Sequence, residues 1–146
     1  TFISSTFWTE RIGPSAALKT LEVMNRVKSW ELITKKGILV RNKIKKLAKK
    51  HDLNIKFYGL PALLSFEIKS KNFLKYKNLI TQELLKKSIL ATNSIYFCIE
   101  HKDKDIANYL HNLKNVFKLI SQCENGRKID SLLENPLSQT HFSRLN

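Results

Sequence analysis

The sequence TFISSTFWTERIGPSAALKTLEVM, residues 1–24, is the stretch around which the rest of the chain is organised. It places three consecutive hydroxyl residues, Ser4, Ser5 and Thr6, beside aromatic residues and just ahead of a segment with helical apolar spacing. The first amides of a helix lack intrahelical partners and carry the positive end of the helix dipole, so neighbouring hydroxyls can help to hold a phosphate. The alternative is an ordinary helix N-terminus, with a Ser or Thr side chain as its cap.

Two helices are predicted to follow the hydroxyl residues. The first runs from about Thr9 or Pro14 to about Ser29, and Pro14 is tolerated only in its first turn. Its apolar face consists of Ala17, Leu21, Met24 and Val27. The apolar stripe of the second helix consists of Ile33, Gly37, Val40, Ile44 and Leu47. Between Lys35 and Lys50, Lys and Arg occupy most of the remaining surface, which is typical of the outward face of an amphipathic helix. A basic face that binds nucleic acid or an acidic partner is the alternative.

From Asp52 the apolar residues alternate, which indicates strands. Two antiparallel strands with one buried face are predicted on either side of a turn at Gly59-Leu60-Pro61. Their alternating residues are Ile55 and Phe57 in the first strand, and Leu64, Phe66 and Ile68 in the second. Helical spacing returns over residues 72–88, with Ser70 or Asn72 available as cap.

The last third of the chain repeats this change of period. A short strand is predicted at Ile89-Leu90-Ala91, and a clearer one where Ile95, Phe97 and Ile99 alternate. A long helix then runs to about Gln122, where Asn125-Gly126 follows, and Ile129 to Leu133 could add a short helical turn. The apolar residues of the long helix are Ile106, Leu110, Leu113, Phe117 and Ile120.

The predicted order is helix, helix, strand, strand, helix, strand, strand, helix. This order favours an α+β fold of two layers, in which long N-terminal helices lead into a small, mainly antiparallel sheet of three to four strands covered by helices. A chain of 146 residues with 42 % apolar residues can bury one usable core. No apolar run approaches the ~18 residues that a membrane-spanning helix needs.

Net charge and cysteine content limit the possible partners and location. The net charge of +14 comes mostly from lysine, and aromatic residues do not interleave with the basic ones as they would on a base-stacking platform. Solvated lysine faces are the preferred interpretation, and nucleic acid is not the expected partner. Cys98 and Cys123 have no metal-site spacing and are too few for a disulfide framework, which favours a reducing cytoplasm. Cys98 is predicted to be a small buried apolar residue. Because the chain begins with Thr1 and not with Met, we expect a piece of a longer polypeptide.

The run Ser4-Ser5-Thr6-Phe7-Trp8-Thr9-Glu10-Arg11-Ile12-Gly13, followed by Ala16-Ala17-Leu18, resembles the class III (fold type I) pyridoxal-phosphate aminotransferases. Within that family it is most similar to the glutamate-1-semialdehyde aminomutase branch. Tyr96 to His101, followed by Asp105-Ile106, resembles the last strand of the family and the entry to its final helix. The ending Phe142-Ser143-Arg144-Leu145 resembles the tails of the aminomutase-like branch, so the resemblance extends over the whole chain.

This resemblance implies a cofactor, a partner and a division of the chain. The threonine of the family motif falls on Thr6 and binds the phosphate of the neighbouring subunit's cofactor, with Ser5 as a second candidate. The implied cofactor is pyridoxal 5′-phosphate, the implied assembly a homodimer, and the implied substrate an amino acid or a keto or aldehyde compound. Residues 1–30 would form the cofactor-phosphate segment and linking helix, and residues 31–146 the C-terminal small α/β domain.

The same resemblance implies that this chain is inactive by itself. The family's Schiff-base lysine and the acid that protonates the pyridine nitrogen belong to a large domain upstream of Thr1, and no lysine here lies in a matching context. No catalytic residue is therefore assigned. Where the family usually has Thr after the histidine, this chain has Lys102, which leaves a side-chain cap at that helix in question.

Other chemistries have little support in the sequence. The histidines form no ligand pair at zinc-site spacing, so no metal is expected, and His101 is interpreted as a structural residue at a strand end. Neither cysteine lies in a recognisable nucleophile context, no glycine-rich nucleotide loop is present, and the acidic residues do not cluster into a two-carboxylate site.

Overall fold

A computed structural model of the chain describes residues 10–135. It confirms the α+β prediction, with four α-helices and a three-stranded antiparallel sheet in that range. The elements are α1 (Ile12–Val27), α2 (Ser29–Lys50), β1 (Ile55–Tyr58), β2 (Leu63–Ile68), α3 (Phe73–Leu85), β3 (Ser94–Tyr96) and α4 (Asp103–Glu124), followed by a 3₁₀ turn (Ile129–Ser131).

The three strands lie in the order β1-β2-β3, and each pairs antiparallel with its neighbour. Alternation places Leu64, Phe66 and Ile68 of β2 on the inner face, where all three are buried, as predicted. The rings of Phe66 and Phe117 meet edge to face at 6.1 Å, which shows that α4 packs over the centre of the sheet. The opposite face of the sheet is exposed at Leu63 and Tyr96, so the domain has two layers.

The predicted apolar stripes of α2 and α4 are confirmed as the core-facing sides of those helices. Gly37, Val40, Ile44 and Ala48 of α2 are buried. The buried residues of α4 are Ile106, Leu110, Leu113, Val116, Phe117, Ile120 and Cys123. Burial of apolar area against the sheet and α3 therefore holds these helices in place more than their intrinsic propensity does.

The strand predicted at Ile89-Leu90-Ala91 does not form. Ser88 adopts a left-handed conformation at the end of α3, and the amide of Ile89 donates to the carbonyl of Leu84, which turns the chain back towards the helix. Ile89 and Ala91 pack against the core while Leu90 is 89 % exposed. The alternation is real, but it belongs to a loop that lies on the core.

The strand predicted through Ile95, Phe97 and Ile99 is shorter than expected and ends at Tyr96. The amide of Phe97 still donates to the carbonyl of Ala62, and the chain then leaves the sheet. For this reason the prediction that Cys98 is buried is wrong: its side chain is exposed in the loop before α4, whereas Cys123 is buried.

The helix starts show which predicted caps exist. Ser70 Oγ accepts a hydrogen bond from the amide of Asn72 at 3.1 Å, whereas Asn72 at the N-cap of α3 makes no side-chain cap bond. Asp105 Oδ2 accepts from the amide of Lys102 at 3.0 Å, and Asp103 also lies in the first turn of α4. These carboxylates favour the helix start without a threonine at the N-cap.

Two tyrosines pack against the core, but only one of their hydroxyl groups has a hydrogen-bond partner among residues 10–135. Tyr76 is fully buried, and its hydroxyl donates to Glu124 Oε1, which also accepts from Ser70 Oγ at 2.8 Å. The hydroxyl of Tyr109 is buried and has no hydrogen-bond partner among residues 10–135. Burial, together with the carboxylate of Glu124, raises the pKa of Tyr76 to about 12, and burial alone raises the pKa of Tyr109.

The same substitution at these two tyrosines is expected to have opposite effects. Tyr76→Phe should lower the free energy of unfolding by about 1–2 kcal/mol because Glu124 loses a buried donor, whereas Tyr109→Phe should leave it unchanged or raise it by up to about 1 kcal/mol. Urea unfolding at neutral pH measures both. Equal losses in the two variants would contradict the assignment of partners.

The raised pKa of Tyr76 also fixes the direction of a pH effect. Because only the neutral phenol is stabilised by the fold, its contribution is fully present below the ordinary pKa of 10.0 and is lost as the pH rises through about 12. The loss of stability over that interval should therefore be shallower in the Tyr76→Phe variant.

Candidate functional site

The residues expected to bind the cofactor, Thr6 and Ser5, lie outside the described residues. The helix that follows them begins at Ile12, and its N-cap residue Arg11 makes no side-chain cap bond. The N-cap position of α1 is thus occupied by Arg11 and not by the Ser or Thr that the alternative predicted, while Ser4, Ser5 and Thr6 lie outside the described residues. Pro14 lies in the first turn, where its missing amide has no cost, as predicted.

The apolar face of α1 is uncovered in the part of the chain that the structure describes. None of its sixteen residues is buried, and the side chains of Ile12, Leu18 and Leu21 are between 61 and 73 % exposed. Near its C-terminal end, Val23 and Ile99 line a shallow apolar groove between α1 and the loop before α4. An exposed apolar helix face of this length marks a surface for further protein contacts.

The path from α1 into α2 turns at one residue. Lys28 has φ 48° and ψ 50°, the left-handed conformation, and separates the end of α1 at Val27 from the start of α2 at Ser29. Its amide donates to the carbonyl of Asn25 at 3.4 Å, which closes the first helix. The direction of α1 relative to the small domain is thus set at this junction.

The loop of residues 98–101, between β3 and α4, is held by Lys36 of α2. The Lys36 ammonium donates to the carbonyls of Ile99 at 2.8 Å and His101 at 2.7 Å, and it lies 3.4 Å from that of Cys98. Three carbonyl oxygens thus match the three donors of one ammonium group. The expectation that Lys36 is one more solvated lysine is wrong, because the residue is half-buried and bonds across the fold.

His101 takes part in the same loop as an acceptor. Its Nδ1 accepts a hydrogen bond from the amide of Cys98 at 3.3 Å, and its ring meets the ring of Phe97 edge to face at 6.3 Å. These contacts fix the turn between β3 and α4 and agree with the structural role expected for His101. Lys36 and His101 together determine the shape of this loop.

The turn between β1 and β2 reaches the same region of α2. A Cβ atom placed on Gly37 would lie 1.9 Å from the carbonyl oxygen of Pro61, so the helix and the turn meet backbone to backbone. Consecutive residues of α2, Lys36 and Gly37, therefore hold the 98–101 loop and the β1–β2 turn. Both segments lie at the same end of the sheet, and Ile99 of the 98–101 loop lies beside α1.

A cleft of about 470 Å³ lies between α4, β3 and the loop after α3, and His101, Asp105 and Tyr109 line it. Two of its polar groups serve the backbone, because His101 Nδ1 and Asp105 Oδ2 each accept an amide proton, whereas the Tyr109 hydroxyl has no partner among residues 10–135. His101 and Asp105 form no pair of nucleophile and base, and residues 10–135 contain no cluster of His, Cys, Asp and Glu that could hold a metal ion. These contacts give the cleft no catalytic assignment.

The described residues also do not fit the reactive end of a pyridoxal phosphate site. Residues 10–135 bury no charged residue, so they contain no enclosed lysine and no buried acid to face a pyridine nitrogen. None of the helices in this range has both the length and the hydropathy that a membrane-spanning segment requires.

Comparisons with known proteins identify distant relatives. No protein-family model matches the chain. The chain is 27 % identical over 111 residues to the 3-aminobutyryl-CoA aminotransferase of Cloacimonas acidaminovorans (strain Evry), a match that covers 73 % of this chain and 27 % of that protein. This similarity shows a distant relationship to an aminotransferase.

A solved structure shares the fold. The structure of the FumI protein of Sphingopyxis sp. MTA144, in its PLP internal aldimine form, matches 86 % of this chain and 31 % of that chain with a TM-score of 0.75 and 16 % identity. The helices and the antiparallel sheet therefore have the architecture of part of a PLP enzyme. The chain spans roughly a quarter to a third of the length of these two proteins.

Proposed function

We propose that the chain is the C-terminal portion of a class III PLP-dependent aminotransferase or aminomutase, similar to the glutamate-1-semialdehyde aminomutase branch. The observation that carries the proposal is the sequence similarity to an aminotransferase over 111 residues, and the fold shared with part of a PLP enzyme supports it. The motif that includes Ser5 and Thr6 points the same way. The complete enzyme moves an amino group to or within a carbonyl substrate, for which bound PLP supplies the electron sink.

In this proposal the chain contributes the phosphate contact and the small domain. Thr6 supplies a hydroxyl to the phosphate of the cofactor held by the other subunit of a homodimer, and Ser5 is the second candidate. The Schiff-base lysine and the acid at the pyridine nitrogen come from the upstream domain. Under this division the chain alone is expected to be inactive.

The uncovered face of α1 is what a linking helix would present if the large domain were removed. Its exposed Ile12, Leu18 and Leu21 would be covered by the upstream domain or by the second subunit. The small domain beyond α1 has its own core, which contains no residue of α1 and supports a division close to the proposed residues 30–31, with the two helices separating at Lys28. The sequence encoded immediately upstream of Thr1 tests the proposal, since it should contain a lysine preceded by a strand that ends in an acid.

Replacing Thr6 with valine in the polypeptide that includes the upstream domain should weaken PLP binding about tenfold to hundredfold. A hydroxyl that donates to a charged phosphate contributes about 1.5–3 kcal/mol. Titration of the cofactor-free protein with PLP, followed by absorbance, measures the affinity. Thr9→Val is the matched control, because it removes a hydroxyl of the same motif that has no assigned contact. Unchanged affinity in Thr6→Val would remove the role of Thr6.

A further inference from the structure

A groove between α2 and β1 carries a concentrated positive charge. Arg41, Lys45 and Lys49 are spaced four residues apart, so they line one flank of α2. Residues 54–57 of the β1 region form the other side of the groove, whereas the Lys56 side chain alternates to the outer face of the sheet. The groove has a volume of about 770 Å³, and Asp52 is the acidic residue in its lining. We call this space, bounded by the three basic residues of α2 and by β1, the basic groove.

The cations of the basic groove lack acidic partners. Lysines elsewhere form ion pairs, such as Lys69 with Glu67 at 2.9 Å and Lys75 with Asp130 at 2.6 Å. By contrast, no carboxylate oxygen lies within 4 Å of Arg41, Lys45 or Lys49 among residues 10–135. Three cations thus share a lining with one carboxylate, that of Asp52, and the net positive charge favours an anionic ligand.

An aromatic ring positions one of these cations. The Arg41 guanidinium lies 5.4 Å from the centroid of the Phe57 ring. Such a contact holds a cation near a ring while its N–H groups stay available to a second acceptor. Arg41 also covers the ring that would otherwise offer a stacking surface to a nucleic acid base.

The floor of the basic groove is the free edge of the sheet. β1 is the outer strand, paired with β2 on one side only within the described residues. The amide of Lys69 donates to the carbonyl of Asn54 at 2.8 Å, so alternation directs the backbone groups of Lys56 and Tyr58 towards β2. The N–H and C=O groups of Ile55 and Phe57 consequently point away from β2, along the groove.

We propose that the basic groove binds an extended acidic segment of another polypeptide, which adds a fourth strand to the sheet at β1. Alternating backbone donors and acceptors at Ile55 and Phe57 pair with a peptide backbone and not with a phosphodiester chain. Carboxylates on that segment meet the cations of the groove and fix its register. A second copy of this chain does not offer such a segment, because its twelve acidic residues do not cluster.

A synthetic peptide with alternating Glu and Val, about six residues long to match an average strand, is the probe. Fluorescence anisotropy with the 146-residue chain should show binding that weakens as the salt concentration rises. The double variant Lys45→Glu/Lys49→Glu should weaken binding about tenfold or more, because both cations face the groove. The control Lys43→Glu/Lys46→Glu makes the same charge change at exposed residues of α2 outside the groove, and it should bind within about threefold of the unaltered chain.

A second arm tests strand addition itself. The same peptide, N-methylated at the amides that would face β1, keeps its charge but loses its donors, and we expect its binding to weaken about tenfold. The amide signals of Ile55 and Phe57 should shift in NMR spectra with the unmethylated peptide. Equal binding of the two peptides would overturn strand addition. Equal losses in the two double variants, or tighter binding of a single-stranded oligonucleotide, would overturn the acidic-peptide assignment.

Discussion

The Gly37→Ala variant is expected to lose about 3 kcal/mol of unfolding free energy, the upper end of what overpacking costs. The added Cβ atom would lie 1.9 Å from the carbonyl oxygen of Pro61, and both partners of this contact are backbone. No side chain can rotate to relieve the overlap. Either α2 moves away from the sheet, which opens the core at Val40 and Ile44, or the β1–β2 turn shifts.

Gly13 provides the matched control for Gly37. It also lies in a helix, but a Cβ atom placed on it would have no neighbour within 4 Å. Gly13→Ala should therefore leave stability unchanged or raise it by up to about 1 kcal/mol through helix propensity. Urea midpoints of the two variants give the comparison. If Gly37→Ala proved as stable as Gly13→Ala, the close approach of α2 to Pro61 would be wrong.

The Lys36→Met variant is expected to lose about 2 kcal/mol of stability and to release the 98–101 loop. Methionine keeps most of the aliphatic length of the side chain, but it cannot donate to the carbonyls of Ile99 and His101, and hydrogen bonds to a charged group are worth about 1.5–3 kcal/mol. Hydrogen exchange at the amides of residues 98–101 should become faster than in the unaltered protein.

Lys35→Met is the control for this loss. Lys35 is the preceding residue of α2 and is exposed, so the same substitution removes one charge without removing the hydrogen bonds from Lys36 to the 98–101 loop. Its stability should stay within about 0.5 kcal/mol of the unaltered protein. If Lys36→Met and Lys35→Met lost the same stability, and hydrogen exchange at residues 98–101 were unchanged in Lys36→Met, the Lys36 ammonium would not be what holds this loop in place.

The parts of the fold that could be predicted from the sequence are those governed by local period. Leu64, Phe66 and Ile68 alternate because one face of β2 is buried, and the stripe through Val40 and Ile44 follows the helical repeat. These patterns record burial directly. The buried stripes, the turn at Gly59 and the element order, apart from the strand expected at Ile89-Leu90-Ala91, could therefore be predicted from the sequence.

The features that were predicted wrongly lie where the chain leaves a helix or a strand. Ile89 and Ala91 alternate with Leu90 as strand residues do, yet the left-handed Ser88 folds them onto the core as a loop. Cys98 follows the alternation of β3, but the strand ends two residues earlier. A binary pattern of apolar and polar residues does not contain the information on these end points.

The contacts at the candidate site depend on segments distant in sequence. Lys36 lies more than sixty residues from the carbonyls that it binds, and in the sequence it is one of eight basic residues of α2. Only the tertiary fold distinguishes it from Lys35. The phosphate assignment at Thr6 and Ser5 rests on a motif and stays a prediction, because both residues lie outside the described range.

Lys28, in its left-handed conformation, is the single residue between α1 and α2, so its backbone torsion angles set the direction of α1. A helix of sixteen residues is about 24 Å long, so a rotation of about 10° at its base moves the far end by about 4 Å. That end begins at Ile12, next to the N-cap residue Arg11. The two backbone torsion angles of Lys28 thus set where the first turn of α1 lies relative to the small domain.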